Sequence, residues 1–236
     1  MELKKRMQAL GLVYVLLLLG ICVPPQIEKG QSGAEEREVT SVSADEVSRE
    51  KPKIALTFDD GPHQVYTSML LDGLKERGVK ATFFLIGENI EIGENAEIVK
   101  REQEEGHLIG NHTYSHVEIT RLENEVAYKE IQKTNEIIEN ITGEKVEFMR
   151  PPFGAWQKDL EKKIQVLPVM WTVDPLDWAT ENVDEIVNKV VTEVKENDII
   201  LLHDCYASSV KAALRIVDLL QAEGYTFVTV DELLID

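Results

Sequence analysis

Short apolar runs alternate with segments of helical periodicity from Ile54 to the end of the chain. Such runs are typical of strands buried on both faces, and their alternation with helices indicates that the strands pair in parallel. About seven such units predict an α/β protein with a (β/α) barrel of about seven strands, and a doubly wound open sheet is the competing architecture. The predicted strands cover residues 54–58, 81–86, 107–110, 146–149, 166–173, 198–202 and 226–228.

Helices are predicted between these strands, where apolar residues recur three and four positions apart. Gly78, Gly106 and Gly143 each follow such a pattern, and glycine commonly ends a helix. The predicted helices cover residues 66–78, 95–105, 122–141, 157–164, 183–194 and 210–220.

Residues 1–25 have the pattern of a targeting segment, because a basic start precedes an apolar run that ends at two prolines. This pattern predicts a signal peptide or an uncleaved N-terminal membrane anchor. Residues 26–51 carry too few apolar side chains to fold and are predicted to form a flexible polar linker. The folded domain is expected to cover residues 52–236 and to lie outside the cytoplasm, secreted or attached to the outer face of the membrane.

The composition excludes several classes of partner and site. The formal net charge of −18 argues against a nucleic acid partner, because a phosphate backbone is bound by lysine and arginine. The two cysteines, Cys22 and Cys205, exclude a disulfide framework and a zinc site of four cysteines. We interpret Cys205 as a lone thiol.

Two adjacent carboxylates, Asp59 and Asp60, end the first predicted strand, and Gly61-Pro62 after them is a turn signal. Neighbouring residues of an extended chain point to opposite sides, so one carboxylate could bind a metal ion while the other faces a substrate. A solvated acidic turn explains the same residues equally well.

Polar residues also follow four further predicted strands. His112 and His116 are four residues apart, which would place both imidazoles on one side of a helical turn, although surface histidines with this spacing are common. The other three motifs each have a structural explanation as well as a functional one. The loop that begins at Arg150 fits a rigid turn, and residues 174–178 fit a capped loop. His203 fits a histidine buried in the core. Considered together they favour a site, because the C-terminal strand ends of a parallel barrel share one face, where active sites are built.

Five stretches resemble the motifs of a known family: TFDDGP at 57–62, HTYSH at 112–116, RPPFG at 150–154, DPLDW at 174–178 and ILLHD at 200–204. In this order they are similar to the five motifs of the polysaccharide deacetylases, the NodB-homology enzymes of carbohydrate esterase family four. The resemblance covers the domain from about Ile54 onward and implies a distorted form of the (β/α) barrel.

The resemblance also implies a role for each polar residue. Asp60, His112 and His116 match the metal ligands of the family, which hold zinc and sometimes cobalt or another divalent ion. Asp59 matches the general base, and Arg150 matches the arginine that holds this base.

The remaining matches concern the leaving group and the acetyl group. His203 matches the general acid, and Asp177 matches the carboxylate that orients it, although Asp174 in the same motif is an alternative partner. Phe153 matches the residue whose backbone N–H binds the oxyanion. The walls of the pocket for the acetyl methyl group are matched by Trp178 and Leu201.

The implied function is a metal-dependent hydrolase that removes N-acetyl groups from N-acetylglucosamine units, with water activated by the metal. A leader or anchor, a linker and one domain suit a wall protein, so we expect peptidoglycan as the substrate. The alternatives are a chitooligosaccharide deacetylase, an acetylxylan (O-acetyl) deacetylase and, in a different class, a non-catalytic glycan-binding wall protein. We expect an acetylated glycan as partner, a monomer, and membrane attachment through the N-terminal segment as an option.

Overall fold

The computed structural model describes residues 51–156 and 158–235. The predicted leader or anchor, and all of the predicted linker except Lys51, lie outside the described residues. Within the described part of the chain, no helix combines the length and the apolar character that crossing a membrane requires.

Seven strands form one sheet in which every pair is parallel. The strand order is β5-β4-β3-β2-β1-β6, and β7 also pairs with β1. The strands are β1 (Lys53–Asp59), β2 (Thr82–Leu85), β3 (Leu108–Asn111), β4 (Phe148–Met149), β5 (Leu167–Pro168), β6 (Ile199–His203) and β7 (Thr226–Val228).

The chain that follows β5 crosses to β6, the strand at the opposite end of this order. Val173 forms an isolated parallel bridge with Ile200, and the Leu201 N–H donates to the Val173 carbonyl at 2.9 Å. The strands therefore run round as a distorted half-barrel rather than as a doubly wound open sheet. The predicted fold class is confirmed.

Helices connect the strands, as expected for parallel pairing. Gly78 and Gly143 adopt left-handed backbone angles, with φ of 64° and 72°, and end α1 and α4 where the sequence predicts. The helices are α1 (Tyr66–Arg77), α2 (Gly87–Ile90), α3 (Asn95–Glu104), α4 (Asn124–Thr142), α5 (Val183–Glu193), α6 (Ala207–Ala222) and α7 (Val230–Ile235). Short 3₁₀ turns occur at Ile119–Arg121, Pro152–Gly154, Lys158–Lys162 and Asp177–Ala179.

Two of the predicted elements take a different form, and the short helices α2 and α7 were not predicted from the sequence. The strand expected at 166–173 is regular only at Leu167–Pro168. The Val169 N–H still donates to the Met149 carbonyl at 2.8 Å, and the chain then leaves β4 before Val173 bridges Ile200. The helix expected at 157–164 is instead a 3₁₀ turn at Lys158–Lys162. Both segments have short apolar patterns, which do not distinguish these forms.

The central strand β1 is buried on both faces, which explains its uninterrupted apolar sequence. Ile54, Leu56 and Phe58 pack in the larger core cluster together with residues of α1, α5 and α6. Ala55 points to the opposite face and packs with Phe84 and other residues of a second, smaller cluster. Because side chains alternate along a strand, Thr57 and Asp59 share the face of Ala55.

One buried acid in α3 has no counterpart among the residues singled out from the sequence. Glu102 is fully buried, and neither carboxyl oxygen has a hydrogen-bond partner among the described residues. Burial raises the pKa of Glu102 well above its usual value, and the charge of Asp204 raises it further. Glu102 therefore keeps its proton in the folded protein at pH values where the unfolded chain has lost it.

We predict that Glu102→Gln stabilises the protein increasingly as the pH rises. The favourable contribution of wild-type Glu102 is fully present below the unfolded pKa and is lost as the pH rises through the raised folded pKa. Between these two pKa values, the free energy of unfolding of the wild type should fall by up to about 1.4 kcal/mol per pH unit relative to that of the variant. Thermal unfolding between about pH 5 and pH 8 measures this difference.

The matched control is Glu104→Gln in the same helix, because the Glu104 side chain is exposed. The gap in melting temperature between this control and the wild type should not widen with pH. The buried, protonated state of Glu102 would be contradicted if the difference in melting temperature between Glu102→Gln and the wild type stays constant or narrows as the pH rises.

Candidate metal centre and active site

The two adjacent carboxylates at the end of β1 both lie near His112 Nε2, which is 3.7 Å from Asp59 Oδ2 and 3.4 Å from Asp60 Oδ1. Asp59 is the last residue of β1 and lies in register with His203 of β6. Asp60 has a left-handed backbone, with φ of 72°, and its carbonyl accepts a hydrogen bond from the Asn89 amide at 2.8 Å. The Gly61 that follows lies so close to Asp204 that an added Cβ would meet its carboxylate oxygen at 2.5 Å. The turn therefore depends on glycine at this position.

Asp60, His112 and His116 form a compact group of donor atoms. Asp60 Oδ1 lies 3.4 Å from His112 Nε2 and 3.3 Å from His116 Nε2. One ligand atom from each residue lies within 4.8 Å of the others, and no second such group occurs among the described residues. Asp60 Oδ1 is buried and has no hydrogen-bond partner there. An orphaned carboxylate oxygen beside two imidazole nitrogens fits a divalent transition metal.

The surroundings of the two histidines suit metal binding. His112 Nδ1 lies 2.6 Å from the Arg150 carbonyl oxygen, so it carries the proton in the neutral ring and leaves Nε2 as the ligand atom. Burial lowers the pKa of His116 despite the opposing charge of Asp60, which favours the neutral form that binds a metal.

The pKa of Asp60 is shifted in the direction that a metal ligand needs. Burial acts to raise the pKa of Asp60, but the neighbouring imidazoles of His112, His203 and His116 together lower it below its usual value. The carboxylate is therefore ionised at neutral pH, which is the form that binds a cation.

Arg150 is fully buried and holds Asp59. Its Nη1 donates to Asp59 Oδ1 at 2.8 Å and to Thr57 Oγ1 at 2.7 Å. Nε and Nη2 donate to the backbone carbonyls of Val169 and Met170 at 3.2 and 3.1 Å. Burial lowers the pKa of Arg150 while the neighbouring Asp59 opposes that effect. The fixed positive charge of Arg150 is thus paired with the Asp59 carboxylate.

His203 is paired with Asp177 rather than with Asp174. Asp177 Oδ1 lies 2.8 Å from His203 Nδ1, and Asp177 Oδ2 accepts the His203 backbone N–H at 2.8 Å. Asp174 instead accepts the backbone N–H of Leu176 within its own loop. Of the two carboxylates that the sequence leaves open, Asp177 thus contacts the histidine. His203 Nε2 lies 4.0 Å from Asp60 Oδ2, beside the metal group.

The remaining predicted residues lie in the loops and strands around this centre. Phe153 adopts a left-handed backbone with φ of 60°, and its ring centroid lies 4.9 Å from that of His116. The side chains of Phe153 and Trp178 are 68% and 57% exposed, whereas Leu201 is buried in β6. Their roles toward an acetyl group stay predictions.

Sequence reasoning missed residues that support the centre. Thr57 shares a strand face with Asp59, so the alternation along β1 was a signal that could have identified it as a partner of Arg150. Asn111 accepts the Thr113 N–H at 2.7 Å through Oδ1 and donates to the Ile131 carbonyl and to Asn135. No local signal identifies Asn111, because its partners lie on α4, far away in sequence.

Curated relatives of this chain are deacetylases of cell-wall and other glycans. The chain is 38% identical over 196 residues to the peptidoglycan-N-acetylglucosamine deacetylase PgdA of Listeria monocytogenes, covering 82% of this chain and 42% of PgdA. It is 38% identical over 208 residues to a peptidoglycan-N-acetylglucosamine deacetylase of Bacillus cereus, covering 85% of this chain and 96% of that relative. A chitooligosaccharide deacetylase of Rhizobium leguminosarum is 37% identical over 170 residues, covering 70% and 78%. The chain thus spans less than half of PgdA but nearly all of the Bacillus cereus relative.

Solved structures share the fold at similar identity. A solved structure of the peptidoglycan deacetylase PdaC of Bacillus subtilis has a TM-score of 0.75 and 38% identity, covering 78% of this chain and 90% of the solved chain. A family 4 acetyl xylan esterase of Clostridium thermocellum, solved with a cobalt ion, has a TM-score of 0.72 and 33% identity, covering 77% and 89%.

We predict that His203 titrates well above the usual range in the metal-free protein. Burial acts to lower the pKa of His203, but its hydrogen bond to Asp177 and the charges of Asp177, Asp59 and Asp60 raise it to about 9. Asp177→Asn should lower this pKa by at least about one unit, because the hydrogen-bonded negative charge is lost.

Titration of the imidazole by NMR with a chelator present measures this pKa. Asp174→Asn is the matched control and should leave it nearly unchanged, because Asp174 bonds only within its own loop. A normal pKa in the wild type, or an equal effect of the two variants, would contradict the assigned pairing.

A family model agrees with these relatives and structures. Residues 46–170, which include the first three of the five motifs, match the model described as polysaccharide deacetylase. The relatives extend the match over most of the chain. The chain therefore belongs to the polysaccharide deacetylase family, carbohydrate esterase family four.

Proposed function

We propose that this protein is a metal-dependent deacetylase that removes N-acetyl groups from the N-acetylglucosamine units of peptidoglycan. The observation that carries the proposal is the convergence of Asp60, His112 and His116 within 4.8 Å. Two hydrogen-bonded pairs adjoin this group, one between Asp59 and Arg150 and one between His203 and Asp177. Peptidoglycan is favoured because the Listeria and Bacillus relatives bear that name and because the predicted leader and linker suit a wall protein.

In this proposal Asp60, His112 and His116 hold Zn²⁺ or another divalent ion such as Co²⁺. Three protein ligands are the usual number at a catalytic zinc site. When bound, the ion supplies a Lewis acid that polarises the acetyl carbonyl and increases the acidity of water. A solved relative with cobalt supports the range of metals.

Asp59 acts as the general base. It takes a proton from the attacking water, and the buried guanidinium of Arg150 holds its carboxylate in position through Oδ1. The backbone N–H of Phe153 donates a hydrogen bond to the negative charge that develops on the acetyl oxygen. The attack forms a carbon–oxygen bond at the acetyl carbon.

His203 acts as the general acid. It gives a proton to the sugar nitrogen as the carbon–nitrogen bond breaks, so that acetate and a free amine leave. Asp177 binds Nδ1, which directs Nε2 toward the site and stabilises the charged ring before transfer. The acetyl methyl group lies between Trp178 and Leu201 in this proposal.

The domain organisation and location are part of the same proposal. Residues 52–236 form the catalytic domain, residues 26–51 a flexible linker, and residues 1–25 a signal peptide or membrane anchor. The domain then works outside the cytoplasm at the cell wall, as a monomer, either secreted or attached to the outer face of the membrane.

Acetate release from a substrate panel tests the activity and its substrate. We expect release from peptidoglycan, inhibition by a chelator and recovery with Zn²⁺ or Co²⁺. Chitin oligomers and acetylated xylan belong in the panel, because the Rhizobium and Clostridium relatives bear those names. Faster release from either would reassign the substrate, whereas no release from any glycan would favour a non-catalytic glycan-binding protein.

We predict that Asp59→Asn and Asp60→Asn separate catalysis from metal binding. Asp59→Asn should reduce turnover by at least about a hundredfold and leave one metal ion bound, because a general base contributes about 10²–10⁴-fold. Asp60→Asn should lose the metal and the activity together. Turnover, metal content and melting temperature are measured for each variant.

The matched control is Asp218→Asn, since Asp218 is exposed and pairs only with Arg77 on the surface. It should retain both activity and metal. Loss of metal in Asp59→Asn but not in Asp60→Asn would show that the roles of the two carboxylates are exchanged.

A further inference from the structure

The loop between the two predicted metal-binding histidines has an unusual backbone. Thr113 and His116 both adopt left-handed angles, with φ of 65° and 54°, although neither is glycine. Such conformations are unfavourable for residues with a Cβ and persist only when surrounding contacts fix them. The geometry of the metal centre therefore depends on whatever holds this loop.

One side of the loop is held by backbone contacts to the start of α2. The N–H of Gly87 donates to the Thr113 carbonyl at 3.0 Å, and the N–H of Glu88 donates to the Tyr114 carbonyl at 2.8 Å. These bonds fix the carbonyl groups of the loop but leave its N–H groups to other partners.

The other side is held by a carboxylate of α4. Glu130 Oε2 accepts the backbone N–H groups of Tyr114 at 3.1 Å and Ser115 at 2.9 Å, and also the Ser115 hydroxyl at 3.0 Å. Hydrogen bonds to an ionised acceptor are about twice as strong as neutral ones. A single oxygen thus binds two consecutive residues immediately before His116.

The ring of Tyr114 adds a second link between the same elements. Its hydroxyl donates to Glu91 at 2.6 Å, next to α2, and Lys133 of α4 lies 3.3 Å from the ring centroid. These contacts involve side chains on the outer surface, whereas Glu130 binds the backbone itself. Glu130 is therefore the α4 side chain that binds the loop backbone directly, at the two residues before His116. Asn111 Oδ1 binds the same backbone at Thr113.

We propose that Glu130 is a positioning residue for the metal centre: its carboxylate fixes residues 113–116 so that His112 and His116 face Asp60 together. This inference rests on the proposed role of these three residues as metal ligands. Without Glu130 the loop populates other conformations, and the apparent affinity falls in proportion to the fraction of molecules that can bind.

Zinc affinity of the purified metal-free protein, measured by competition with a chromophoric chelator, tests the inference. Partners that orient metal ligands typically change affinity by about 10–100-fold, so Glu130→Ala should raise the Kd for Zn²⁺ by this factor. Glu130→Gln keeps an oxygen acceptor without the charge and should raise the Kd by a smaller factor of about 3–10. The Co²⁺ absorption spectrum should change in Glu130→Ala and resemble the wild type in Glu130→Gln.

The matched control is Glu136→Ala, because Glu136 is exposed on the same helix and accepts only from Gln132. It should leave the Kd within about twofold of the wild type. Melting temperatures of the metal-free variants distinguish a loss of fold stability from a loss of zinc affinity. A lower melting temperature of Glu130→Ala with an unchanged Kd and spectrum would show a merely structural role and overturn the inference.

The outcomes also separate this inference from the proposed function. A wild type that binds no stoichiometric Zn²⁺ would overturn the metal centre and the role of Glu130 together. If the wild type binds Zn²⁺ and the Kd of Glu130→Ala lies within about twofold of the wild-type Kd, only the role of Glu130 would be overturned. Should Glu130→Ala fail to fold, a Glu130→Gln Kd within about twofold of the wild type would overturn it equally.

Discussion

The buried ion pair between Arg150 and Asp59 is the interaction on which the geometry of the site depends. A fully buried guanidinium is tolerated only when its charge and its N–H groups all find partners. Asp59 meets the charge, while Thr57 and two backbone carbonyls after β5 accept the remaining bonds. The Arg150 carbonyl also binds Nδ1 of His112. One residue at the end of β4 therefore orients the proposed base and a proposed metal ligand together.

Much of the fold could be predicted because its signals are local. The apolar runs of β1 and β6 are buried strands, and Gly143 ends α4 with the left-handed angle that glycine favours. Parallel pairing then places residues from distant motifs on one edge of the sheet. For this reason Asp59 and His203 lie side by side on the adjacent strands β1 and β6. The candidate residues could therefore be selected from the sequence.

What the sequence did not reveal depends on contacts between distant or irregular segments. The early end of β5 was missed, because its two regular residues are too few for a periodic pattern and the prediction continued the strand to Val173. The choice between Asp174 and Asp177 depends on the left-handed turn at Leu176, which turns one carboxylate toward His203 and leaves the other in its own loop. Glu130 reaches the histidine loop from the middle of the chain's longest described helix, where its sequence context is that of an ordinary solvated face.

The most direct test of this account is an anomalous difference map from crystals soaked with Co²⁺ and recorded at the cobalt edge. The account predicts one strong peak within roughly 2.0–2.2 Å of an Asp60 carboxylate oxygen and of Nε2 of both His112 and His116, as is usual for a transition metal in proteins. No peak at this position, or an ion bound instead by other residues, would contradict the proposed metal centre.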